Sequence, residues 1–135
     1  MTMFGNGKDF IGLPTLPIAA LDPTQHPPVG QALRAEVALI WPYSSSTKSA
    51  AILVAELDYR LRRHHGQVRI QLHGSAAEAI GASKIQIGDH VCIALDGARW
   101  AGTRGSGMVS GMVSGRTVEG ELVFERRVHL QVRAR

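Results

Sequence analysis

Apolar and polar positions alternate along five stretches of this chain, and a period of two predicts strands. From Ala32 to Trp41, the side chains of Leu33, Ala35, Val37, Leu39 and Trp41 share one parity while Arg34 and Glu36 take the other. Pro42 and the serines after Tyr43 close that strand. A second runs from Ser49 to Asp58 and is almost wholly apolar between Ala50 and Ala55. In the third, Gln67 to His73, the residues Val68, Ile70 and Leu72 alternate with Gln67, Arg69, Gln71 and His73, as a strand with one face on a core requires. The fourth starts at His90, with Val91, Ile93 and Leu95 against His90, Cys92 and Ala94; Gly97 bends it, and Arg99 and Trp100 extend it. The last spans Glu121 to Arg133 through Leu122, Phe124, Val128, Leu130 and Val132, with a bulge expected where Arg126 breaks parity. Between the third and fourth, Ser75 to Glu78 fits a capping box, so a short helix is expected through Ala79, Ile80 and Ala82.

Two segments lack any such period. Residues 1–30 are dense in glycine and proline and read as an extended arm, because proline blocks helix interiors and central strands. Residues 101–120 are glycine-rich, repeat Gly-Met-Val-Ser, and read as a flexible loop. The remainder, 31–135, is one mainly β domain. Its element order is that of the OB-fold, a five-stranded Greek-key barrel with one short helix between strands three and four. Such barrels bind on strands two and three and on the loops joining strands one to two and four to five.

Charge adds a class of partner. The chain has 15 Lys+Arg against 11 Asp+Glu, a net charge of +4, and its stretch from Tyr59 to Ala77 holds four arginines and three histidines but no carboxylate.

 Asp58 and Glu78 stand immediately outside that stretch. A carboxylate-free basic patch beside a half-buried strand suits a polyanion, above all a single nucleic-acid strand, whose phosphates pair with arginine and whose bases stack on aromatic rings. The expected contacts are Arg60, Arg62, Arg63 and Arg69 to phosphates, Gln71 and His73 to base edges, and Tyr43 and Trp100 as stacking platforms, with Arg104 beside Trp100 at the same cleft and Trp41 either a further platform or part of the core. About four neutralised phosphates would make log affinity fall with log salt at a slope near −3.

Other classes find little support. No apolar run reaches the roughly 18 residues that cross a bilayer, and Met1 to Asp9 lacks the layout of a secretory signal, so an intracellular protein with no membrane partner is expected. The single cysteine, Cys92, cannot form an internal disulfide and reads as a buried thiol. His64 and His65 have no third ligand at a suitable spacing, and no cofactor or metal is expected. Ser45 to Lys48 matches S-x-x-K without the companion motifs, and Gly105, Gly107 and Gly111 miss the dinucleotide spacing, so no enzymatic activity is expected.

Four segments also carry a family resemblance: Trp41-Pro-Tyr-Ser-Ser-Ser-Thr-Lys-Ser, Leu53-Val-Ala-Glu-Leu-Asp-Tyr-Arg-Leu-Arg-Arg, Gly66-Gln-Val-Arg-Ile-Gln-Leu-His-Gly and Gly88-Asp-His-Val-Cys-Ile-Ala-Leu-Asp-Gly-Ala-Arg-Trp. Together they resemble the telomeric single-stranded DNA-binding OB-folds of filamentous fungi, of the protection-of-telomeres type. The resemblance implies binding to the G-rich 3′ overhang, a nuclear location at chromosome ends, and partners among other telomere end-protection proteins. An alternative within the same setting is a protein-interaction or homodimerisation module with little DNA binding.

Overall fold

The alternating stretches hydrogen-bond into one mixed sheet in a computed structural model that describes residues 2–4, 13–101 and 117–133. Its elements in chain order are β1 (Thr2–Phe4), a 3-10 turn (Ile18–Ala20), β2 (Ala32–Ser44), β3 (Ser49–Glu56), a second 3-10 turn (Tyr59–Leu61), β4 (Gln67–His73), α1 (Gly74–Ala82), β5 (His90–Ala94), β6 (Ala98–Ala101), β7 (Thr117–Phe124) and β8 (His129–Arg133). The eight strands lie in the order β1-β8-β5-β2-β3-β4-β7-β6. Neighbours are antiparallel except β1 with β8 and β4 with β7, which run parallel. Among the described residues the protein is therefore mainly β with one α-helix, as expected, but its eight strands form an open mixed sheet and not the closed five-stranded barrel anticipated.

Two expected strands are each divided. Asp96 and Gly97 make a turn between β5 and β6, closed by the Ala98 amide on the Leu95 carbonyl at 3.0 Å, and Gly97 sits at φ 87°, where a side chain would be strained. The last stretch leaves the sheet over residues 125–128 instead of forming a bulge at Arg126. Its first half pairs with β4 and β6, and its second half pairs with β5 and β1, so one straight strand could not serve both.

The helix also starts differently. It follows β4 with no intervening loop, which makes Ser75 its second residue and denies it the cap position. His73 takes that position without a side-chain cap, and the Ser75 hydroxyl instead donates to the Arg126 carbonyl at 2.7 Å. Helix start and the 125–128 connection are thereby tied together.

The core gathers the inward parity of each strand: Leu33, Ala35 and Val37, then Ile52 and Val54, Val68, Ile70 and Leu72, Val91 and Ile93, Leu122 and Phe124. Residues 13–30, part of the expected arm, lie against this core through Ile18 and Leu21, and the Ile18 amide donates to the buried Glu56 carboxylate. Trp100 fastens the same segment, its indole N–H donating to the Gln25 carbonyl at 2.7 Å. A side-chain carbon at Gly120 would stand 2.6 Å from the Trp100 ring, so glycine is needed there for the indole to lie flat. Trp100→Phe should cost about 1 kcal/mol in urea unfolding, the worth of one hydrogen bond, and speed hydrogen exchange at the Ile18 amide.

Candidate nucleic-acid interface

Two irregularities in β2 determine what faces outward on the middle of the sheet. Val37 pairs with Val54 but Leu39 pairs with Leu53, so β2 spends one extra residue there, and a second register shift falls between Trp41 and Ser44. Each extra residue inverts the alternation. Leu39 and Trp41 therefore leave the parity of Val37, Ile40 turns to the core in their place, and after the second shift Tyr43 turns inward. The single apolar face expected from Leu33 to Trp41 is thus corrected at Ala38.

Across the neighbouring strands this sets up two outward rows. One is Leu39, Leu53, Arg69 and Glu121; the next is Trp41, Ala51, Gln71, Val123 and Arg99. Leu53, Ala51 and Val123 are buried although they stand outside the core cluster, so the centre of this face is apolar beneath its polar side chains.

Arg69 binds this face together. Its guanidinium lies 4.5 Å from the centre of the Trp41 ring and pairs with Glu121, and the two charged side chains are only 11% and 17% exposed. Its Nε is buried with no hydrogen-bond partner. Arg69 is thus committed to Glu121 and Trp41 and is not a free phosphate contact. Trp41 keeps partial exposure with one face on a cation, an arrangement worth about 0.5–2 kcal/mol that holds the ring still. Gln71 and His73, half-buried on the adjacent positions, approach each other at 3.3 Å between Oε1 and Nε2.

The turn from β3 to β4 contains the other arginines, and they divide in role. Arg62 folds inward: its Nε donates to the Glu56 carbonyl, its Nη2 lies 3.7 Å from Glu36, and its guanidinium sits 3.9 Å from the centre of the Tyr59 ring. Arg60 pairs with Asp58 while remaining 89% exposed. That side-chain hydrogen bond raises the Arg60 pKa and, with a second from the Arg60 amide, lowers the Asp58 pKa. Arg63 is exposed. His64 and His65 stack at 4.4 Å, His65 adopting φ 51° to close the turn. Among the described residues no group of three His, Cys, Asp or Glu side chains is placed to hold a metal.

The remaining expected contacts lie elsewhere. Tyr43, expected to face solvent, is half-buried against α1, where a side-chain carbon at Gly81 would meet its Cβ at 2.7 Å; the second β2 irregularity is the cause. Trp100 is spent on the N-terminal segment, and Arg104 lies outside the described residues. Residues that sequence reasoning passed over are Glu36 and Glu121, which neutralise Arg62 and Arg69, and Tyr59, 71% exposed above Arg62. Only pairing across strands distant in sequence could have exposed the first two.

With this geometry in place, comparison with known proteins adds a family. Residues 12–135 match the family model described as Domain of unknown function (DUF8502). The chain belongs to the DUF8502 family. No curated protein matches it in sequence. In fold, this DUF8502 domain is similar to part of a protein described as an aspartyl-tRNA synthetase from Leishmania major Friedlin, with a TM-score of 0.55 and 12% identity. That likeness covers 94% of this chain but only 22% of the other, and it concerns the fold alone.

Proposed function

We propose that this domain binds single-stranded DNA without performing chemistry, on the outer face of β2, β3 and β4, with the G-rich 3′ overhang of telomeres as its substrate. The observation that carries this is the row of Trp41, Gln71 and Arg99 beside Arg69, a partly exposed ring held on a guanidinium next to hydrogen-bonding side chains. Rings so held stack on bases with little entropic loss. An OB-type barrel is supported by the parallel β4–β7 pairing and by β5 and β6, consecutive in the chain, which pair with β2 at one side and β7 at the other. The telomeric substrate, a nuclear location and end-protection proteins as partners rest on the family resemblance.

The phosphate contacts differ from those first expected. With Arg62 and Arg69 held by carboxylates, the turn offers Arg60 and Arg63, and the β2–β3 connection offers the exposed Lys48. About three contacts give a log–log salt slope near −2. Fluorescence anisotropy with a G-rich telomeric-repeat strand, its C-rich complement, oligo-dT and the duplex tests the reading. Preference for the G-rich strand with that slope supports it; binding to none of the four overturns it.

A second reading, a protein-interaction or dimerisation module, is favoured by the pairing of Arg60, Arg62, Arg69 and Arg99 with carboxylates, which reduces the attraction for phosphates. Dimerisation in sedimentation without DNA binding would support that reading instead.

A further inference from the structure

We infer that Tyr59 is a second base-stacking platform, placed at the opposite end of β3 from the β2–β3 connection, and that the bound strand runs along the outer face between Tyr59 and Trp41. This deepens the proposed single-strand binding and rests on it. Large apolar side chains are normally withdrawn from water, yet the Tyr59 ring is 71% exposed and its neighbour Leu61 is 46% exposed. Neither is loose. Asp58 accepts from the Arg60 amide at 2.9 Å to start the 3-10 turn, and the Leu61 and Arg62 amides close it on the carbonyls of Asp58 and Tyr59.

Beneath the ring, Arg62 donates from Nε to the Glu56 carbonyl and turns Nη2 toward Glu36 at 3.7 Å. One face of Tyr59 therefore rests on a guanidinium and the ring is presented to solvent. Trp41 is built the same way on Arg69 and Glu121. Glu36 pairs with Ala55, and Trp41 with Ala51, so the two aromatic–arginine–glutamate units sit on the same face of β3, four residues or about 13 Å apart along it. Between them lie Leu39 and Leu53. Arg60 and Arg63 flank the Tyr59 end with exposed charge, which suits a phosphate backbone arriving beside an unpaired base. A base stacked on Tyr59 would need no rearrangement of the turn.

The test uses the whole chain and a fluorescein-labelled G-rich telomeric-repeat strand, with oligo-dT alongside. Tyr59→Ala should weaken binding about tenfold while leaving the salt slope unchanged, because no cation is removed. Tyr59→Phe should bind as the wild type, and Tyr59→Trp should bind equally well with indole fluorescence quenched by the strand. Because the ring is exposed, unfolding in urea should shift little in any of these. Wild-type binding that Tyr59→Ala leaves within twofold overturns the platform and spares the DNA reading; a wild type that binds neither strand overturns both. A Tyr59→Ala loss matched by Tyr59→Phe would also overturn stacking, since the hydroxyl would then carry the contact.

Discussion

Glu121→Ala should destabilise the protein by about 3 kcal/mol, because it strands the Arg69 guanidinium, 11% exposed and already short of a partner at Nε, without its counter-charge. Breaking one half of a buried pair costs far more than the pair contributes, since the desolvated charge remains. The comparison that isolates this is Arg69→Met with Glu121→Leu, which should return stability to within about 1 kcal/mol of the wild type. Urea unfolding of the single and double variants measures both. The single variant should also change binding in the opposite direction from an ordinary loss: Arg69, released from Glu121, becomes available to a phosphate, and the salt slope should steepen by about 0.7. A loss below 1 kcal/mol in the single variant would mean that water already reaches the guanidinium, and Arg69 would then return to the set of phosphate contacts.

Gly66→Ala should cost about 2–3 kcal/mol and remove most of the proposed single-strand binding, for a reason located in the backbone. A side-chain carbon at position 66 would lie 2.5 Å from Arg62 Cα and closer still to the Leu61 carbonyl oxygen. Both obstacles are main chain within the turn that presents Tyr59, so no rotamer change relieves the contact. The chain would have to open between Leu61 and Gly66, drawing Arg62 away from Glu36 and from beneath the Tyr59 ring. The Glu56 amide, which donates to the Gly66 carbonyl at 2.9 Å, would be disturbed at the same time. Urea unfolding and anisotropy check the two effects, and an alanine variant that unfolds and binds as the wild type would show that this turn is more pliant than its packing indicates.

Much of the β framework was legible in the chain because simple alternation survives where a strand has one partner face on the core. Val68, Ile70 and Leu72 point inward and Gln67, Arg69, Gln71 and His73 outward, as their parity demands. The short helix and the bend at Gly97 were legible for local reasons, apolar spacing in one case and a residue without a side chain in the other. The extra residues in β2 were not, because a bulge leaves each side chain plausible by itself and alters only its phase against β3.

The composition and order of the residues by themselves determined a basic, mainly β domain with a helix after its third long strand and an arginine-rich turn before it, since these depend on local periodicity and on charge counted along the chain. The tertiary structure alone decided which arginines are free. Glu121 lies 52 residues from Arg69 and Glu36 lies 26 from Arg62, and only the parallel pairing of β7 with β4 and the folding of the turn over β2 bring those charges together. Electrostatic pairing depends on distance in space, and a positive stretch read in one dimension carries no information about the carboxylates that the fold returns to it.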